Sequence, residues 1–177
     1  MASTIALVGG TGNNDAMYTG YVTGWGQCFE ALVSTKLANV YFWLKKTGSP
    51  TGNVVCKIYT LTGTYGSATP NTLLATSDNL AASTLFTSYG AVGFTFSGAQ
   101  KIDMTATTRY FATVEYTAGD GSNNVGISYG SNTYAGNLAH KTPSWGATPS
   151  DMHCEVYGDD LPVTNNPQIL NYYYISR

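Results

Sequence analysis

Val40-Tyr-Phe-Trp-Leu-Lys-Lys-Thr-Gly-Ser-Pro-Thr-Gly-Asn-Val-Val-Cys-Lys-Ile-Tyr59 is the stretch that decides the fold. A pleated strand sends alternate side chains to opposite faces, so Val40, Phe42 and Leu44 face a core while Tyr41 and Trp43 lie on the outer phase. The same alternation resumes after the break, with Val54, Cys56 and Ile58 inward and Lys57 and Tyr59 outward. Thr47 to Gly52 supplies the turn between them, because proline presets φ and glycine reaches positive φ without steric cost. The pair reads as a strand, a hairpin-like connection and a second strand.

Working outward, further strands are predicted at 91–96, 109–117, 125–129 and 152–157. In 109–117, Tyr110, Ala112, Val114 and Tyr116 share one phase, and Phe111, Thr113 and Glu115 the other. Many short strands without a long helical pattern imply an all-β, two-sheet antiparallel β-sandwich. Long connections such as Gly130 to Ser150 favour jelly-roll or Greek-key wiring over a meander. Residues 77–85 read as irregular, and no repeat of fixed period is present. The chain divides into an extended N-terminal arm (1–24), the sandwich (25–158) and a C-terminal tail (159–177). The tail ends Ile169-Leu-Asn-Tyr-Tyr-Tyr-Ile-Ser-Arg, an apolar segment that needs a cover, since unpaired strand-like segments recruit neighbours. Both ends are expected to dock, on this domain or on a neighbour.

The 177 residues are 43% hydrophobic, enough for one real core. Only 10% are charged, against roughly 25% in a typical soluble domain. A net charge of -2 with scattered basic residues offers no footprint for nucleic acid or an anionic membrane, so neither is expected as a partner. No signal-like segment stands near Met1, and no apolar run approaches a membrane span of roughly 18 residues. Uncharged contact remains: protein interfaces, or sugars that meet tyrosine and tryptophan faces.

Cys28, Cys56 and Cys154 are odd in number and far apart, which reads as reduced core thiols; the shared inward phase of Cys56 and Cys154 leaves one bridge open. His140 and His153 are the only imidazoles, and His153 and Cys154 point to opposite faces, against a zinc site. Most acids lie in expected turns, where aspartate caps its own backbone. Glu115 and Glu155 instead sit on outer strand phases, with Lys57 or Arg109 as candidate cross-strand partners. Gly119-Asp-Gly-Ser-Asn-Asn reads as a hairpin turn, the alternative being a calcium loop, although it lacks the distal glutamate of that motif. Val8-Gly-Gly-Thr-Gly is not followed by a helix that could hold phosphate. Nothing here assembles a nucleophile with its base, or two facing carboxylates, so no enzyme and no cofactor is expected. The aromatics reach furthest: Trp43, Tyr59 and Trp145, with Trp25, could form a sugar-stacking platform. In the competing reading Trp25 and Trp145 close the ends of the sandwich and Trp43 lies under an arm or another subunit.

Gln27-Cys-Phe, Phe42-Trp-Leu-Lys-Lys-Thr-Gly-Ser-Pro-Thr-Gly, Lys57-Ile-Tyr, Leu73-Leu-Ala-Thr-Ser-Asp, Phe94-Thr-Phe and Glu115-Tyr together resemble the jelly-roll choice-of-anchor type domains of phage virion proteins and bacterial surface proteins. The resemblance spans about 26–158 and rests on core and turn residues, which speak for fold more than function. It implies display, attachment or capsid decoration and brings no catalytic set. The expectation is therefore a virion-surface subunit of a bacteriophage, such as a capsid decoration or head-fibre protein. Its partners would be further copies of itself, a trimer as first guess, and virion proteins such as the major capsid protein. Ile5 and Leu7 in the arm, and Ile169, Leu170, Tyr172, Tyr173 and Tyr174 in the tail, are the expected interface residues. The alternative is a carbohydrate-binding module for host glycans, using Trp43, Tyr59 and Trp145.

Overall fold

In chain order the strands are β1 (Ser3–Val8), β2 (Asn13–Met17), β3 (Gly24–Glu30), β4 (Thr35–Thr47), β5 (Asn53–Thr62), β6 (Thr69–Thr76), β7 (Leu80–Ala81) and β8 (Gly90–Thr95). There follow β9 (Asp103–Met104), β10 (Arg109–Glu115), β11 (Asn124–Ser131), β12 (Leu138–Lys141), β13 (Trp145–Thr148), β14 (Ser150–Met152) and β15 (Cys154–Gly158). These come from a computed structural model, which describes residues 3–9, 12–131 and 133–159. The tail residues Ile169, Leu170, Tyr172, Tyr173 and Tyr174 lie outside the described residues.

The strands form two antiparallel sheets. One has eight strands along the path β1-β15-β4-β11-β14, with β2 on β11 and β8 and β9 on β4; the other has seven, β13-β12-β3-β10-β5-β6, with β7 on β5. The chain passes repeatedly between the sheets, as from β3 to β4 to β5 and from β9 to β10 to β11, and β10 inserts between β3 and β5, so the wiring is of the Greek-key kind and not a meander.

Between the sheets lies the core that the alternation predicts. Val40, Phe42, Leu44, Val54, Cys56, Ile58, Ala112, Val114 and Tyr116 are all fully buried. Each large apolar side chain placed there stabilises the fold by about 2 kcal/mol before conformational entropy is counted. The stretch 77–85 contains only a short 3-10 turn, Ala82–Thr84. Gly130 to Ser150, expected as a long connection, instead carries the β12–β13 hairpin, in which Leu138 pairs with Thr148 and Lys141 with Trp145.

The N-terminal lead is extended but docks on its own domain. β1 pairs with β15 from Ser3↔Gly158 to Val8↔Cys154, and β2 pairs with β11. Ile5, expected at an interface, is buried in the core beside Val8 and Met17, whereas Leu7 is 55% exposed. A register shift between Thr4 and Ala6 turns both Ile5 and Ala6 inward. That bulge breaks the period-two signal, which is why the sequence reads as an arm.

The seven-stranded sheet is covered on its outer face too. Cys28, Tyr59, Ala68, Phe111 and Ala139 form a second apolar cluster, with Leu61, Tyr65 and Trp145 packed against it. Buried Asn137 holds this cover down: its Oδ1 accepts from Ala68 N (3.0 Å), its Nδ2 donates to Ala68 O (2.9 Å), and its carbonyl accepts from Cys28 N (2.8 Å). Covering on both faces leaves β3 and β10 buried at nearly every position, polar Gln27, Thr113 and Glu115 included.

Candidate ligand-binding faces

The three aromatic residues expected to share a platform lie on different sheets. Tyr59 and Trp145 meet on the outer face of the seven-stranded sheet, ring centroids 6.3 Å apart in an edge contact, while Trp43 belongs to β4 of the other sheet. Tyr59 leaves its sheet on the outer phase but is only 8% exposed, so it offers no ring face to a ligand. Trp25 points inward and stacks on Tyr129 at 5.2 Å, part of the core, whereas Trp145, which the competing reading put at an end of the sandwich, packs on the outer-face cluster.

Beneath Trp145 lies an ionic cluster centred on Glu115, itself 3% exposed. Its Oε2 accepts from Lys57 Nζ (3.1 Å) and Lys141 Nζ (3.2 Å), and its Oε1 from the Tyr59 hydroxyl (2.7 Å). Register places Lys57 opposite Thr113, two positions from Val55↔Glu115 and on the same face, so the Lys57 partnership foreseen from sequence is present. Arg109 pairs instead with Glu30 at 2.9 Å. Burial alone would push the Glu115 carboxyl up, but the Tyr59 hydroxyl and the Lys57 and Lys141 ammonium groups outweigh it and hold the carboxyl below its ordinary value. Burial first, then the bond to Glu115, pushes the Tyr59 hydroxyl well up. Gly24 lies against this cluster: a Cβ there would stand 3.1 Å from both Glu115 Cγ and the Trp145 ring. All these groups satisfy one another, which makes a structural lock.

The eight-stranded sheet presents a different face. Asn39, Tyr41 and Trp43 follow one another on the outer phase of β4, and Glu155 and Tyr157 do so on β15, with Tyr41 opposite Glu155 and Asn39 opposite Tyr157. The Tyr41 and Tyr157 rings meet edge to face at 5.8 Å and 87°. Trp43 packs on the His153 ring at 4.1 Å. Glu155 is held from both sides, with His153 Nε2 2.8 Å from Oε1 and the Tyr157 hydroxyl donating to Oε2 at 2.9 Å. Its partners are therefore His153 and Tyr157, not Lys57 or Arg109. Thr95 Oγ1 donates to Asn39 Oδ1 at 3.1 Å. Asn39, Tyr41, Glu155 and Tyr157 line a cleft of about 240 Å³.

Sequence reasoning named Trp43 and singled out Glu155 but did not join them. The signal was available: stepping by two from Trp43 reaches Tyr41 and Asn39, and stepping by two from His153 reaches Glu155 and Tyr157. What it lacks is the pairing of β4 with β15, more than 100 residues apart in the chain.

Among the described residues no three His, Cys, Asp or Glu side chains converge as a metal site. The Gly119–Asn124 loop is a turn in which Asp120 Oδ1 accepts from Ser122 N (2.7 Å) and Asn123 N (2.9 Å), capping its own backbone. The three cysteines are free and buried. Chemically, the Glu155 face can accept hydrogen bonds beside flat apolar rings; it pairs no nucleophile with a base. In comparisons with known proteins, no family model, no curated protein and no solved structure matches the chain.

Proposed function

We propose that this protein is a non-enzymatic surface subunit of a bacteriophage virion, a capsid decoration or head-fibre type component that works by contact and assembly. The resemblance of its core and turn residues to virion jelly-roll domains supplies the setting. The observation that carries the contact role is the apolar edge at β1. Leu7 is 55% and Leu32 58% exposed, and Leu32 N donates to Ile5 O at 2.8 Å, so the two leucines flank one edge strand. Among the described strands β1 ends its sheet, and exposed leucines beside such a strand, on a surface with few charges, suit another polypeptide. The partners proposed are further copies of the chain, a trimer first, and virion proteins such as the major capsid protein.

Removing the first twenty residues is a poor test, because β1 and β2 are part of the sheet. The clean variant is Leu7→Glu with Leu32→Glu, both at exposed positions. Wild type is expected to sediment as an oligomer and to enter particles during phage assembly, and the double variant to stay folded, monomeric and excluded. A wild-type chain that is monomeric and absent from particles overturns the reading.

A further inference from the structure

We propose that the cleft between β4 and β15 is a binding site for a neutral sugar ring, one unit of a longer glycan lying along the Asn39–Tyr41–Trp43 line. The site stands apart from the particle setting and does not require it. Four observations converge on this ligand class.

The backbone around the cleft is already used. Asn39 and Tyr41 of β4 pair with β15 on one side and β8 on the other, so the strand edge there is not open to a peptide and recognition has to come from side chains. Those side chains combine flat rings with oriented polar atoms. Glu155 has its two oxygens fixed by His153 and Tyr157, one donor each, yet a carboxylate has roughly four lone-pair positions. Capacity for two ligand hydroxyls remains, at a carboxylate that needs no reorientation. The described contacts of Asn39 engage its Oδ1 and leave the amide nitrogen to donate.

Charge narrows the class. The cleft holds one carboxylate and no lysine or arginine among its lining residues. The cation that follows on the outer phase of β4, Lys45, lies beyond Trp43 and sits 4.8 Å over the Tyr89 ring. An anionic ligand would meet the Glu155 carboxylate with no lysine or arginine lining the cleft to receive it. A quaternary ammonium group needs rings standing apart around it, whereas Tyr41 and Tyr157 touch edge to face at 5.8 Å. Polyhydroxyl ligands satisfy both the acceptor and the ring faces.

Size and shape complete the case. At about 240 Å³ the cleft falls just below the roughly 300 Å³ at which pockets for drug-sized ligands begin, so it holds one ring and not a whole oligomer. The Tyr41 ring is laid across Gly93, where a Cβ would come within 2.7 Å of it. That close approach keeps the ring low on the sheet. The stripe from Asn39 to Trp43 then runs about 13 Å along the strand at roughly 3.3 Å per residue, room for the next unit beside Trp43.

The test is a titration of the isotope-labelled full chain with neutral gluco-, manno- and galacto-oligosaccharides, with sialyllactose and choline as charged arms, following amide chemical shifts. At least one neutral oligosaccharide should produce saturable shifts centred on residues 39–43 and 153–157. Glu155→Gln, which keeps the shape, should weaken that binding about tenfold or more, as expected for losing charge-assisted hydrogen bonds. Trp43→Ala should weaken it as well, and Trp145→Ala, on the opposite sheet, should leave it within about twofold, the spread expected when no shared partner is lost. The proposal is overturned by no saturable response to any neutral sugar, by saturation with sialyllactose or choline alone, or by shifts centred on Trp145. Binding by Glu155→Gln equal to wild type also overturns it. The wild-type titration locates the site whether or not every variant folds.

Discussion

Gln27 and Asp151 join the two sheets through the interior: Gln27 Nε2 donates to Asp151 Oδ1 at 3.0 Å across 124 residues of chain, from β3 to β14. Both side chains are fully buried. Gln27 Oε1 accepts from Met152 N at 2.9 Å, and Asp151 Oδ2 accepts from Thr133 N at 2.6 Å and Tyr134 N at 2.7 Å. One carboxylate thus ties the seven-stranded sheet, the eight-stranded sheet and the segment leading into β12. A buried acid is accommodated in this position because both of its oxygens receive donors.

Asp151→Asn should therefore be severely destabilising although it changes a single atom. Whichever way the new amide turns, its NH2 faces either the Gln27 amide or the two backbone N–H groups, and flipping Gln27 only moves the clash to Met152. The expected loss is about 3 kcal/mol, read from urea midpoints and from a melting temperature lower by roughly 6–12 °C. A change under about 1 kcal/mol would mean that the network is dispensable.

Glu115 makes stability depend on acid pH. Its folded-state pKa is held below the ordinary glutamate value near 4.5, despite its burial, by Tyr59, Lys57 and Lys141. A depressed carboxyl contributes stability that is present above the unfolded-state pKa and is lost as pH falls through the folded-state value. Glu115→Gln should cost about 2 kcal/mol at neutral pH, with the gap from wild type closing as the medium is taken below that ordinary value. Denaturation curves at a series of pH values check this; a gap that widens in acid contradicts it.

The thiols should be silent in the folded protein. Burial pushes the Cys28 thiol up to about 12 and those of Cys56 and Cys154 well above the ordinary range. Thiolate is the reactive form, so a disulfide reagent near pH 8 should modify none of them natively and all three after unfolding without reductant. A single reactive thiol after unfolding would instead reveal a Cys56–Cys154 bridge.

Much of the sandwich was legible because period two is a local signal. Val40, Phe42, Leu44, Val54, Cys56 and Ile58 take their inward phase from their own segments, and all are fully buried. β1 escaped because the bulge after Thr4 breaks that period, and the β12–β13 hairpin because Leu138–Lys141 is too short to show one. Tyr59 shows the limit differently. It does lie on the outer phase, but a covering layer of Trp145, Tyr65 and Ala68 removes it from solvent.

Strand content and the inward phase of β4, β5 and β10 follow from neighbours one or two residues apart, and the surface poor in charge from composition alone. Tertiary structure alone decided which outward residues meet. It separated Trp43 from Tyr59 and Trp145 by a whole sandwich, and it brought Tyr41 opposite Glu155 through a pairing that spans most of the chain. The physical reason is that a side chain's phase is set by its own backbone, while its partners are set by strand register and crossover, which no local stretch encodes.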